Sequence, residues 1–196
     1  MRNKIFAGEY VHIYLRGNDK KNIFLNEQDY RRFMRLIKYY NRKTNQPFSS
    51  IFKKEPEELR TILQTYKEDY GQILISTLMP NHFHILIKCL EDGSIGKYMQ
   101  KILTAFSMYF NKRYSKDGHT FESKYKYRKI ENEYDLRNTI DYIYNNPVKL
   151  LDKNYKHVDL INGQYNLSKE QEEFIRKYPY TFQGPTLENL RLDLGI

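Results

Sequence analysis

Cysteine is nearly absent from this chain. Cys89 is the only one in 196 residues, so no internal disulfide can form and the composition fits a reducing compartment. The lone thiol reads as a small buried hydrophobe. Long apolar runs are missing too: nothing approaches the roughly 20 consecutive apolar residues that cross a bilayer. The opening from Met1 to Phe6 lacks the apolar stretch of a secretory leader. A cytoplasmic protein with no membrane association is expected. Internal repeats and low-complexity tracts are also lacking. What remains, 40% hydrophobic and 29% charged, is a globular composition with enough length to bury a core.

Charge is what the chain has in excess. Lysine and arginine number 33 against 24 acidic residues, a formal net charge of +9, with a pI near 9.3. That balance favours a polyanionic partner, of which nucleic acid is the commonest. The 19 tyrosines could stack on bases. An AT-rich genome also enriches Lys, Asn, Ile and Tyr, so composition leaves the partner open.

Periodicity gives the order of elements. Tyr10 to Leu15 alternates and ends at the Gly17-Asn18-Asp19 turn, a first strand. Asn26 caps a helix with Glu27 and Asp29 in its first turn and Tyr30, Phe33, Ile37 and Tyr40 as its buried stripe. Thr44 to Pro56 is aperiodic, and a short helix is expected over Glu57 to Glu68. Gln72–Leu78 and Phe83–Cys89 form an antiparallel hairpin about Pro80-Asn81. A long helix follows, its core face running from Ile95 through Ile102 and Phe106 to Phe110. Lys124 to Ile130 reads as a fourth strand with Lys124, Lys126 and Arg128 on one face, either a solvated edge or a surface that tracks phosphates. Asp135 to Asn146 is a helix stopped by Pro147, and Lys169 to Lys177 a short last one. Strand, helix, strand, strand, helix, strand, helix predicts an α+β fold: a ferredoxin-like split βαβ with an antiparallel sheet and an added C-terminal helix.

Two motifs carry chemistry. In His82-Phe83-His84 the histidines are two apart on a strand, so both imidazoles enter the same space while Phe83 packs behind. That arrangement can hold one divalent cation, or it can be a hydrogen-bonded polar strand face. His12 reads as a strand-face histidine rather than a ligand. On the late helix, Tyr142 and Asn146 are four apart and share a face. Tyr144 points about 200° from Tyr142 and cannot serve the same site. An amide oxygen is a hard ligand suited to Mg²⁺ or Mn²⁺, and an incomplete shell of imidazole and amide suits a cation that also holds a phosphate. A closed structural zinc site is unlike this set. As phenolate, a tyrosine can attack phosphorus and store the bond as a phosphotyrosine.

These residues resemble the single-tyrosine HUH transposases, and most of all the REP-associated tyrosine transposases among them. Met79-Pro80-Asn81 before the two histidines, Tyr142-Ile143-Tyr144-Asn145-Asn146-Pro147-Val148-Lys149, Arg16-Gly17-Asn18-Asp19 before Ile23-Phe24, and Gly118-His119-Thr120-Phe121 occur in the family's order across residues 8 to 151. The resemblance implies a catalytic domain over 1–151 with an insertion near 44–70, and an extension of unknown role over 152–196. It implies metal ligation by His82, His84 and Asn146, where many members carry glutamine at the third position, and attack by Tyr142 on single-stranded or hairpin-bearing DNA. The product would be a 5′-phosphotyrosine and a free 3′ hydroxyl, with no ATP required. Lys124, Lys126, Arg128 and Lys149 are the expected DNA contacts, in a monomer or a homodimer. The rival readings are a domesticated sequence-specific DNA-binding protein, an RNA-binding module and a replication-initiating nuclease. Intact Tyr142, His82, His84 and Asn146 speak against the first. Missing paired aromatics in a Gly-rich consensus speak against the second, and the late helix against the third.

Overall fold

Alternation sorts the first strand into two faces. In β1 (Tyr10–Arg16), Val11, Ile13 and Leu15 are buried on one side, and His12, Tyr14 and Arg16 stand on the other. The computed structural model describes residues 4–51, 54, 58, 61, 64, 68–152, 167–185 and 187. After β1 come α1 (Glu27–Asn41), α2 (Phe48–Ile51), β2 (Gly71–Met79), β3 (His82–Cys89), α3 (Ser94–Tyr114) and β4 (Lys126–Lys129). They are followed by α4 (Glu133–Asn145), α5 (Lys169–Lys177) and β5 (Thr181–Gln183). Of the short helix expected over Glu57 to Glu68, Glu58, Thr61 and Gln64 are helical, and its apolar residues Leu59, Ile62, Leu63 and Tyr66 lie outside the described residues.

The sheet order is β4-β1-β3-β2-β5, antiparallel at each pairing. Its first four strands are the ferredoxin-like split βαβ expected from the element order, and the fold is α+β. Helices α1 and α3 cover one face, where Phe33, Leu36 and Ile37 meet Phe83, Ile85, Ile102 and Phe106 in the main core. The start of α1 follows from its cap: the Asn26 side chain accepts from the Gln28 amide, and Asp29 closes the capping box. Helix α4 covers the opposite face, setting Leu136, Ile140 and Ile143 on Leu74, Ile75 and Leu86. A bulge between Ile73 and Ile75 shifts the parity of β2, placing Leu74 and Ile75 together in this second cluster.

Two departures from the expected pattern concern the edges. β4 begins only at Lys126, so Lys124 falls in the bend before it and does not share the strand face of Lys126 and Arg128. The fifth strand, unforeseen, closes the β2 edge. Thr181 Oγ1 lies 2.9 Å from Thr77 Oγ1, the Gly184 amide donates to Leu74 O at 2.7 Å, and Tyr180 stacks on Tyr30 at 3.9 Å between centroids. A Cβ on Gly184 would fall 1.9 Å from Ile73 O, so only glycine fits there. Among the described residues, no helix is long and apolar enough to cross a membrane.

Candidate active site

The site grows from one end of the sheet, where three loops are laced by backbone hydrogen bonds. Pro80 O accepts from the amides of Ile23 (2.9 Å) and Phe24 (3.0 Å), and Asn81 O from that of Gly17 (2.8 Å). The Asn18 amide donates to Thr120 O at 3.0 Å and the Glu122 amide to Arg16 O at 3.1 Å. Arg16–Asp19, Met79–Asn81 and Gly118–Phe121 therefore form one platform, although they lie far apart in sequence. Gly17 is required by close approach: a Cβ would sit 2.3 Å from Lys21 O and 2.6 Å from the Ile23 side chain.

His82 and His84 project from this platform on the face opposite Phe83. Their ring centroids are 5.0 Å apart with planes at 89°. His82 Nδ1 donates to Asn81 Oδ1 at 2.7 Å. The orientation of that amide is set by Asn81 Nδ2, which donates to Lys20 O at 3.1 Å. His84 Nδ1 lies 2.9 Å from Nε2 of His12, a buried histidine on the neighbouring strand. Burial pushes His82 down to about 4, helped by the positive charges of Arg16 and Lys149 and opposed by Asn146. Burial also lowers His12 to about 4, with Arg128 adding to the shift and Asp135 opposing it. Both rings are neutral at physiological pH, the state in which an imidazole ligates a metal.

Helix α4 brings the other two groups. It starts at Asn132, whose side chain accepts from the Asp135 amide at 2.9 Å, and is held down by its apolar stripe. Tyr142 then stands against the histidines, its ring 5.3 Å from that of His84 at 90° and 5.9 Å from that of His12 at 63°. Asn146 opens a short 3-10 turn (Asn146–Leu150), but its φ of −53° and ψ of −37° continue the helical register. Its side chain is fully buried, near enough to His82 and Tyr142 to influence both, yet neither its amide nitrogen nor its oxygen is aligned for a hydrogen bond. Two buried polar atoms left this way cost about 1–3 kcal/mol each, a cost that a ligand to the amide would relieve. Neutral imidazoles and one amide oxygen suit a divalent cation such as Mg²⁺ or Mn²⁺. Among the described residues, no group of three His, Cys, Asp or Glu side chains is placed to hold a metal.

The charges around this cluster are positive. Lys149 Nζ lies 5.3 Å from the centre of the Tyr142 ring, and burial together with Arg16 lowers its own pKa. Tyr142 is raised, chiefly by burial and slightly by Tyr14, against the pull of Asn146 and Arg16. Arg16 was not singled out from the sequence as a site residue. The available signal was parity, since it shares a strand face with His12 and Tyr14. Of the basic residues on and before β4, Arg128 lies 2.5 Å from Asp135 and donates to Thr139 Oγ1 at 2.7 Å, while Lys126 lies 3.1 Å from Glu122. Lys124 lines a hollow between α3 and the 118–125 loop, apart from the histidines. Of the four basic residues expected as DNA contacts, Lys149 stands over Tyr142.

The family model for IS200-like transposases matches residues 44–146, spanning β2, both histidines, Tyr142 and Asn146. The chain belongs to the IS200-like transposase family. Among solved structures it is similar to a REP-associated tyrosine transposase bound to a REP hairpin, at 18% identity and TM-score 0.49, covering 76% of this chain and 72% of that one. It is also similar to a bacterial tRNA(His) guanylyltransferase-like protein in complex with ATP, at 12% identity and TM-score 0.42, covering 90% and 72%. No curated protein matches. Membership in the family makes this a transposase-type protein acting on DNA.

Proposed function

We propose that this protein cleaves and rejoins single-stranded or hairpin-bearing DNA through a covalent link to Tyr142, with a divalent cation held by His82, His84 and Asn146. The observation that carries the reading is the convergence of Tyr142 on His84, with Asn146 one helical turn on and its buried amide unsatisfied. When bound, Mg²⁺ or Mn²⁺ supplies a Lewis acid that polarises the scissile phosphate. Arg16 and Lys149 attract the phosphodiester and favour the anionic form of the phenol. Burial acts the other way on Tyr142 and favours the protonated phenol in the free protein.

In the cleavage step the Tyr142 Oη–P bond forms and the P–O3′ bond breaks. The phenol gives up its proton and the departing 3′ oxygen takes one up. One phosphodiester replaces another, so rejoining by attack of a 3′ hydroxyl needs no ATP. Helix α4 packs on Leu74, Ile75 and Leu86, and this packing carries Tyr142 to the ring of His84. A hairpin-bearing single-stranded oligonucleotide with Mn²⁺ tests the reading. The wild type should give a covalent protein–DNA adduct stable to denaturation; Tyr142→Phe should give none and Tyr144→Phe should retain it. An adduct lost only in Tyr144→Phe would overturn the assignment of the nucleophile, and no adduct from the wild type would favour a protein that binds DNA without cutting it.

A further inference from the structure

We infer that His12 and Asn81 are positioning residues that commit the two ligand histidines to a single tautomer, with Nδ1 protonated and Nε2 offered to the cation. The inference rests on the proposed role of His82 and His84. For His82 the assignment follows from hydrogen-bond chemistry. A side-chain carbonyl only accepts, Asn81 Oδ1 is 2.7 Å from His82 Nδ1, and the amide cannot be turned over without losing the bond from Asn81 Nδ2 to Lys20 O. His82 Nδ1 must carry the proton, and the lone pair is left on Nε2.

His84 meets an imidazole instead of an amide. His12 Nε2 and His84 Nδ1 are 2.9 Å apart, and either nitrogen could donate. If His12 donates, the neutral His84 ring carries its own proton on Nε2, and that nitrogen has no lone pair for a metal. If His84 donates, Nε2 is open. His84 Nε2 is fully buried and His12 is 7% exposed, so water does not readily scramble the arrangement. The two rings lie 5.1 Å apart at 34°, and His12 also meets Tyr142 edge-on. His12 thus touches a ligand and the nucleophile from behind without being placed as a ligand itself. Such outer partners fix ring orientation and tautomer, and losing one lowers metal affinity by roughly 10- to 100-fold.

The test is Mn²⁺ binding to the full chain in the absence of DNA, read by the free-ion electron spin resonance signal, together with the tautomers of the metal-free wild type read by ¹⁵N nuclear magnetic resonance. His12→Leu and Asn81→Leu should each weaken Mn²⁺ binding by roughly 10- to 100-fold. His12→Gln and Asn81→Asp, which keep an acceptor, should recover much of it. His82 and His84 should both show a protonated Nδ1. Unchanged affinity in a folded His12→Leu chain overturns the role of His12, as does a His84 ring protonated on Nε2 in the wild type; the tautomer measurement decides even if His12→Leu does not fold. His82→Ala is the control that separates the two levels. If it leaves Mn²⁺ binding intact, or the wild type binds none, the metal reading falls and this inference with it. If it abolishes binding while His12→Leu does not weaken it, only the inference falls.

Discussion

The two faces of the sheet are built from the same strands and do opposite things. On the α1/α3 side, β3 contributes Phe83, Ile85, Ile87 and Cys89, all buried in one apolar cluster. On the α4 side the same strand contributes His82 and His84, and β1 adds His12, Tyr14 and Arg16. The first face is dry and stabilising. The second holds polar groups at a cost, including a buried asparagine without a hydrogen bond. Placing both on one strand ties the polar face to the packed one, because a residue cannot shift on one side without moving its neighbour on the other.

Neighbouring substitutions should separate these faces most sharply. Phe83→Ala removes a ring packed against Phe33 and Phe121 and should cost about 3–5 kcal/mol, seen as a large fall in the urea midpoint. His82→Ala, one residue away, should abolish cleavage while changing stability by less than about 1 kcal/mol. If Phe83→Ala were mild and His82→Ala unfolded the chain, the division of labour between the faces would be wrong. The second test concerns charge. Lys149→Ala and Arg16→Ala should each slow cleavage by about 100-fold, as for loss of one preorganised contact to a developing anion, with single-turnover rates as the readout.

The third sharpens the comparison through pH. His12 and His82 are held neutral down to about 4, whereas an unfolded histidine protonates near 6.5. Between those values the unfolded chain binds more protons, so stability falls as pH drops from about 6.5 toward 4 and is unaffected by these groups above that window. Urea titrations in chelator should show this slope, and His12→Gln should flatten it. The smallest effect is in DNA binding. The logarithm of affinity for single-stranded DNA should fall with that of salt at about 0.7 per neutralised phosphate. Replacing Lys126 and Arg128 should reduce the slope by less than about 0.7 per residue, because Glu122 and Asp135 already engage them. A full loss of slope would mean that DNA displaces both ion pairs.

Much of this was legible in the sequence where the determinants are local. Alternation set the faces of His82, Phe83 and His84; four-residue spacing put Tyr142 with Asn146; Asn26 marked a helix start. What was not legible depends on pairing between distant segments. His12 finds its partner 72 residues away, so no nearby residue announces it, and its role follows only once β1 lies beside β3. Arg16 was hidden for the same reason. Lys124 was misplaced because alternation continues in the letters for two residues beyond the point where the backbone bends. β5 spans three residues, too few to show any period, and its pairing with β2 bridges about a hundred positions.

That short strand has a bearing on handling the molecule. The segment matched to the transposase family ends at residue 146, so it includes β2 but not β5. A chain cut there would leave the outer N–H and C=O groups of Ile75 to Thr77 unanswered, and it would strip Tyr180 from Tyr30 beside them. An exposed edge of this kind templates association with other chains. The β2 edge is thus covered from outside the family match, by a strand whose Gly184 exit admits no side chain, and a chain ending at residue 146 should aggregate more readily than the full one.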